Sequence, residues 1–154
     1  MSGLVVLDIA PVEYSVSQPH WRGVTDLIRI LCDAPKCDTK RDMEHYLKFH
    51  IPDPAIRAFC LTNFHDNDWT IPIHTIQNQL DELSKFDGHG QQQYHGDAFF
   101  VHGGQSKFVG HAHLDAIATY FPNHMLTTIK GAGHWIHAEA PEATTALLQK
   151  YLDR

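Results

Sequence analysis

Long apolar runs are missing from this chain. No stretch approaches the ~18 residues that a membrane-spanning helix requires, so no span is expected. The first apolar run, Leu4-Val5-Val6-Leu7, ends at Asp8 within one strand length and does not read as a signal peptide. Cysteine is scarce: Cys32, Cys37 and Cys60 are an odd number without metal-type spacing. They read as reduced thiols of a cytosol or organelle matrix, so an intracellular setting, mitochondrial matrix or cytoplasmic, is expected. Positive charge is short too. Lys and Arg number 12 against 18 Asp and Glu, a formal charge of -6 that disfavours nucleic acid and anionic membrane surfaces as partners.

What is present is the material of one ordinary globular domain: 154 residues, 43% of them apolar. The 13 histidines are scattered from His20 to His137, and most, such as His45, His65 and His89, sit in polar surroundings. Most of them therefore read as solvated surface.

The run from Leu4 to Ile9 has the look of a strand buried on both faces, as in parallel sheets. Residues 20 to 86 read as helices with short breaks at Pro35, Pro52, Asp66-Asn67-Asp68 and Pro72. Val24, Leu27, Ile28 and Leu31 form one helical stripe. Asp53-Pro54 reads as a cap and first helical residue, opening a helix that buries Ile56, Phe59 and Cys60. Ile73, Ile76, Leu80 and Leu83 step as a further amphipathic helix. After the polar link Gly88 to Gln93, strands are expected at Ala98–Val101 and Met125–Ile129. A helix from His111 to Tyr120 falls between them. A last helix from about Pro141 is lined by Ala143, Leu147, Leu148 and Tyr151. Strand-helix alternation of this kind implies an α/β fold with a short parallel sheet.

Chemistry concentrates in Gly131-Ala132-Gly133-His134-Trp135-Ile136-His137-Ala138-Glu139. A strand, a Gly-x-Gly-His turn and a helix together deliver an imidazole to the carboxyl edge of a parallel sheet, where open α/β folds do their chemistry. A nucleophile motif does not accompany it, because no Gly-x-Ser-x-Gly occurs in the chain. A second pattern, His111-Ala112-His113-Leu114-Asp115, fits the His-x-His-x-Asp of some zinc hydrolases. On the helix expected there, His111 and Asp115 share a face and His113 points away. No metal or cofactor is therefore expected, and metal-dependent hydrolysis is the lesser alternative.

Four segments carry a resemblance: Val5 to Tyr14 (Val-Val-Leu-Asp-Ile-Ala-Pro-Val-Glu-Tyr), Phe59 to Phe64, Phe99 to Ser106 (Phe-Phe-Val-His-Gly-Gly-Gln-Ser), and Gly131 to Glu139. In these the chain resembles the C-terminal half of an α/β-hydrolase. The matching branch is that of mitochondrial abhydrolase-domain protein eleven and the bacterial short-chain esterases. The resemblance implies a single partial domain over 1–154, with core 1–18 and 95–154 and a helical cap over about 20–94. The strand at Leu4 then corresponds to the sixth of the full fold, and the last two strands to the seventh and eighth. It implies a catalytic pair of His134 as base and Asp8 as the acid that fixes its tautomer. Many relatives place the acid after the seventh strand, where this chain has Ser106.

Other residues near the pair receive plainer readings. Ser106 lies too far from a strained elbow to serve as nucleophile, and the cysteines fall in the helical region. Trp135 is expected to pack beneath the site. His137 has room for a part in shaping the pocket, and Glu139 is expected to meet a helix dipole. His102-Gly103-Gly104 reads as a turn out of its strand, because an oxyanion loop of that type precedes the nucleophile. The resemblance implies, for the full-length family, hydrolysis of a small acyl ester or thioester. A non-catalytic interaction module is the alternative. The strand at Leu4 offers an open edge to a homodimer partner or a complementing N-terminal half.

Overall fold

A computed structural model of the chain describes residues 3–88 and 92–154, so His89, Gly90 and Gln91 of the polar link lie outside the described residues. In chain order the elements are β1 (Leu4–Leu7), α1 (Pro19–Cys32), α2 (Lys40–His50), α3 (Pro54–Leu61), β2 (Phe64–His65), β3 (Asp68–Trp69), α4 (Ile73–Asn78) and α5 (Leu80–Leu83). Then come β4 (Ala98–Gly103), a 3-10 turn at His111–His113, α6 (Leu114–Tyr120), β5 (His124–Ile129), α7 (Ile136–Glu139) and α8 (Pro141–Leu152). The fold is α/β. Two compact units result, Met1–Glu13 with Phe86–Arg154, and Tyr14–Lys85. Among the described residues no helix is long and apolar enough to cross a membrane.

The first unit is built on a three-stranded parallel sheet in the order β1-β4-β5. Among the described residues only β4 has neighbours on both sides, and its Ala98 to Val101 are all buried. The period of two along β4 divides them between two cores. Ala98 and Phe100 join Ala10, Val109 and Ile117 in one cluster, with Leu4, Val6 and Leu126 packed against it. Phe99 and Val101 join Ile129, Ala132 and Ile136 in the other, flanked by Met125, Leu147 and Tyr151. β1 is only half-buried, contrary to the expectation of burial on both faces. Its apolar run fits a central strand, but among the described residues it pairs with β4 alone. On α8 the residue buried beside Leu147 and Tyr151 is Thr144, while Ala143 is exposed. Thr144 can enter because its hydroxyl donates to the Ile136 carbonyl at 2.9 Å.

The second unit packs Leu31, Cys37, Met43, Leu47, Ile51, Cys60, Leu61, Phe64 and Ile73 into one apolar cluster. Thr39 caps α2 by accepting from the Asp42 amide, and Asp53 caps α3 by accepting from Ala55 and Ile56, with Pro54 following it. Phe59 is 49% exposed rather than buried. The buried arc of α3 runs through Ile56, Cys60 and Leu61, and Phe59 lies beyond its edge. The stripe from Ile73 to Leu83 is two helices, because Gln79 leaves helical geometry at φ -111°. Asp66-Asn67 is more than a break. Both residues have positive φ, 49° and 65°, and they close the two-residue hairpin turn between β2 and β3.

Candidate active site

Parallel pairing puts the carboxyl ends of β1, β4 and β5 on one edge of the sheet, and the site is assembled from the three loops that leave that edge. The first contributes Asp8. Its amide still belongs to the ladder, donating to the Val101 carbonyl at 2.8 Å, and then its φ turns to +51°. Left-handed backbone is uncommon away from glycine, and Asp tolerates it better than most residues. The turn ends β1 and aims the carboxylate across the mouth of the sheet toward β4. Asp8 is 1% exposed.

A carboxylate so buried needs donors, and three supply them. The Gly103 amide donates to Oδ1 at 2.9 Å, the Ser106 hydroxyl donates to Oδ2 at 2.5 Å, and His134 Nδ1 meets Oδ2 at 2.7 Å. With the carboxylate as acceptor, the imidazole proton sits on Nδ1, and Nε2 carries the lone pair. The His134 side chain is 38% exposed, so the pair has one buried and one accessible member. This is the arrangement a general base requires: a tautomer fixed from behind and a basic nitrogen on the open side.

The loops after β4 and β5 are laced together. Gly104 donates to the Ile129 carbonyl and Gln105 to that of Ala132, each at 2.9 Å. Gly131 takes φ +82°, which frees the chain to turn toward His134. Glu139 then reaches back from α7. Its carboxylate accepts from the amides on both sides of His134, Gly133 at 2.7 Å and Trp135 at 3.1 Å. Glu139 lies in the first turn of α7, as the expected acidic charge at a helix N-terminus, and adds these two direct hydrogen bonds.

The remaining candidates separate cleanly. Ile136 is fully buried in that turn, whereas Trp135 is only half-buried, and His137 is exposed. Trp135 is thus less buried than a core position would be, and the residue of this turn that joins the apolar cluster is Ile136. His102 Nε2 meets the Thr128 hydroxyl at 2.8 Å, between facing residues of β4 and β5. His111, His113 and Asp115 form no ligand set. His111–His113 is a 3-10 turn in which His113 Nδ1 accepts from the Gly110 amide at 3.2 Å. Among the described residues no group of three or more His, Cys, Asp or Glu gathers to hold a metal.

The three cysteines are free thiols, and burial pushes all three above the ordinary thiol range. Sequence reasoning placed Ser106 and Glu139 near the site but missed what they hold. It also missed Phe108, whose ring stacks on His134 with centroids 3.9 Å apart.

Comparison with known proteins agrees with this architecture. The sequence profile of the alpha/beta hydrolase fold family matches residues 61–141. Esterase YbfF of Escherichia coli (strain K12) is 27% identical over 152 residues, which cover 97% of this chain and 57% of that protein. The sn-1-specific diacylglycerol lipase ABHD11 of Mus musculus is 27% identical over 145 residues, covering 90% of this chain and 47% of the lipase. The chain thus spans about half the length of these curated relatives. A solved marine microorganism esterase superimposes with a TM-score of 0.86 at 28% identity, over 99% of this chain and 60% of its own.

Proposed function

This chain belongs to the α/β-hydrolase fold family, and on that premise we propose that it carries the base and acid of a serine esterase or thioesterase. The nucleophile comes from outside these 154 residues. The observation that carries the reading is the 2.7 Å contact of His134 Nδ1 with a carboxylate that is 1% exposed. In the assembled site, a serine hydroxyl gives its proton to His134 Nε2 as its oxygen attacks the acyl carbonyl. Asp8 holds the Nδ1–H tautomer and balances the imidazolium. The imidazolium protonates the departing alcohol or thiol, and water repeats the cycle on the acyl-serine. The curated relatives support a carboxylic ester as the substrate class, since one is an esterase and another a lipase for diacylglycerol. On the same reading the unit Tyr14–Lys85 is the family's inserted cap.

The open edge of β1 favours a partner as well, either a second copy or a complementing N-terminal half that adds a parallel strand. Kept to that edge alone, the reading becomes a non-catalytic interaction module. One experiment separates the two. A chimera is made in which this chain replaces the segment it matches in the E. coli esterase. We expect the isolated chain to resist a serine-directed fluorophosphonate, and the chimera to be labelled and to hydrolyse a short acyl ester. His134→Gln should abolish that turnover, and a folded chimera whose activity survives the substitution overturns the assignment.

A further inference from the structure

Phe108 touches the His134–Asp8 pair by two routes. Its ring lies against the imidazole, centroids 3.9 Å apart and planes inclined by 24°. Its amide donates to the Ser106 hydroxyl at 3.1 Å, and that hydroxyl donates in turn to Asp8 Oδ2. Phe108 is 6% exposed, yet it belongs to neither apolar cluster of the sheet unit. Its neighbour Val109 joins one of those clusters. A buried phenyl ring thus lies nearly flat against the accessible member of a hydrogen-bonded pair.

We propose that Phe108 is a positioning residue that holds the plane of His134 in which Asp8 fixes the tautomer, a proposal that rests on the reading of His134 as the base. The contact with Asp8 fixes one ring nitrogen but leaves the plane free to tilt about that hydrogen bond. The imidazole torsion about Cβ–Cγ is intrinsically broad and nearly two-fold, so it provides no stop of its own. A flat wall at stacking distance does, because tilting drives ring atoms into it. The same wall has an electronic face. When Nε2 takes a proton, the imidazolium lies over the negative face of a π-system, which attracts it. An aliphatic side chain of similar volume supplies the bulk and neither of these effects. Ser106 joins the two functions, since the loop that brings the ring to His134 also delivers the hydroxyl to Asp8.

The test needs no turnover. In the isotopically labelled full chain, ring-to-ring nuclear Overhauser contacts are expected between Phe108 and His134. The nitrogen shifts of His134, read where the imidazole is neutral, are expected to report the Nδ1–H tautomer. Phe108→Leu should weaken the preference for that tautomer by about five-fold, the scale of one aromatic pair, while amide protection in β4 and β5 is retained. Phe108→Tyr, which keeps the ring, should restore the native tautomer. Absence of the ring contacts in the unsubstituted chain overturns the proposal whether or not the leucine variant folds. So does a folded leucine variant whose tautomer is unchanged. Failure of the chimera to hydrolyse esters would instead overturn the functional reading and leave these spectra as they stand.

Discussion

Gly103 lies so close to Gly133 that a Cβ built on it would stand 1.9 Å from the Gly133 carbonyl oxygen and 2.5 Å from that of Ala132. Both obstacles are main chain, and neither can rotate away. The approach has a function, because the Gly103 amide is the donor to Asp8 Oδ1. Only a residue without a side chain brings the loop of His134 against the end of β4 and keeps that amide on the carboxylate.

Gly103→Ala is therefore expected to push the two loops apart. Overpacking of this kind typically costs about 1–3 kcal/mol, and a backbone obstacle puts this site at the upper end. The urea midpoint should fall accordingly, and the His134 imidazole signals should lose their dependence on Asp8. Gly110→Ala is the control, since nothing lies within 4 Å of a Cβ there.

Ser106→Ala removes one of the three donors to a buried carboxylate and the hydroxyl that accepts from the Phe108 amide. A loss of about 1–3 kcal/mol in unfolding free energy is expected, the scale of losing a hydrogen bond to a buried charged group. In the chimera the fluorophosphonate reaction should slow but persist. Equilibrium unfolding and labelling kinetics of the same variant measure the two effects. Labelling abolished outright would mean that Ser106 does more than hold Asp8.

How much of this was readable beforehand follows from range. The strands were legible because buried parallel strands are continuous apolar runs, and Ala98 to Val101 is one. The pairing of Asp8 with His134 across 126 residues came from the family resemblance, and the strand ends agreed with it. Both lie at the ends of parallel strands, and such ends share an edge. Ser106 and Phe108 were harder, because their contacts depend on how loops cross rather than on any strand, and Glu139 because its bonds depend on the local course of the turn around His134. For Ser106 there was a signal. An oxygen stands where many relatives carry the acid, and the structure puts that oxygen on the acid itself. The hairpin at Asp66-Asn67 carried a signal as well, two residues that tolerate positive φ between Phe64-His65 and Asp68-Trp69. The break at Gln79 carried none, since its apolar spacing continues through it.

Glu139 tests whether the turn around His134 is braced from outside. Glu139→Ala deletes the acceptor of both flanking amides, and Glu139→Gln keeps an oxygen for only one of them. Because Glu139 is exposed, the stability cost should be small, about 1 kcal/mol or less once solvent is allowed for. Exchange is the sharper measurement. The Gly133 and Trp135 amides should exchange much faster in the alanine variant, with the glutamine variant between. Amides of β4 should not change.

The thiols give a prediction in pH. Cys60 is 4% exposed, and its thiol is pushed up chiefly by burial, with a hydrogen bond to its own backbone acting in the opposite direction. Cys37 is raised by burial and then by Asp42 and Asp38, and Cys32 by burial and then by Asp33. A thiol is neutral when protonated, so a raised value means that the folded chain holds the proton more tightly than the unfolded chain does. The stabilisation is complete below the unfolded thiol value, about 8.5, and is lost as pH rises through the higher folded value. Tyr46, raised by burial, then Asp33 and Cys37, adds a loss of the same sign. The urea midpoint should therefore be flat in this respect near pH 7 and fall through the alkaline range. Cys60→Ala should start from a lower midpoint, because a packed side chain is gone, and should show a shallower alkaline slope. Iodoacetamide should modify Cys60 slowly in the native chain at neutral pH and rapidly once urea unfolds it. An alkaline slope unchanged by the substitution would mean that the Cys60 thiol ionises as readily in the folded chain as in the unfolded one.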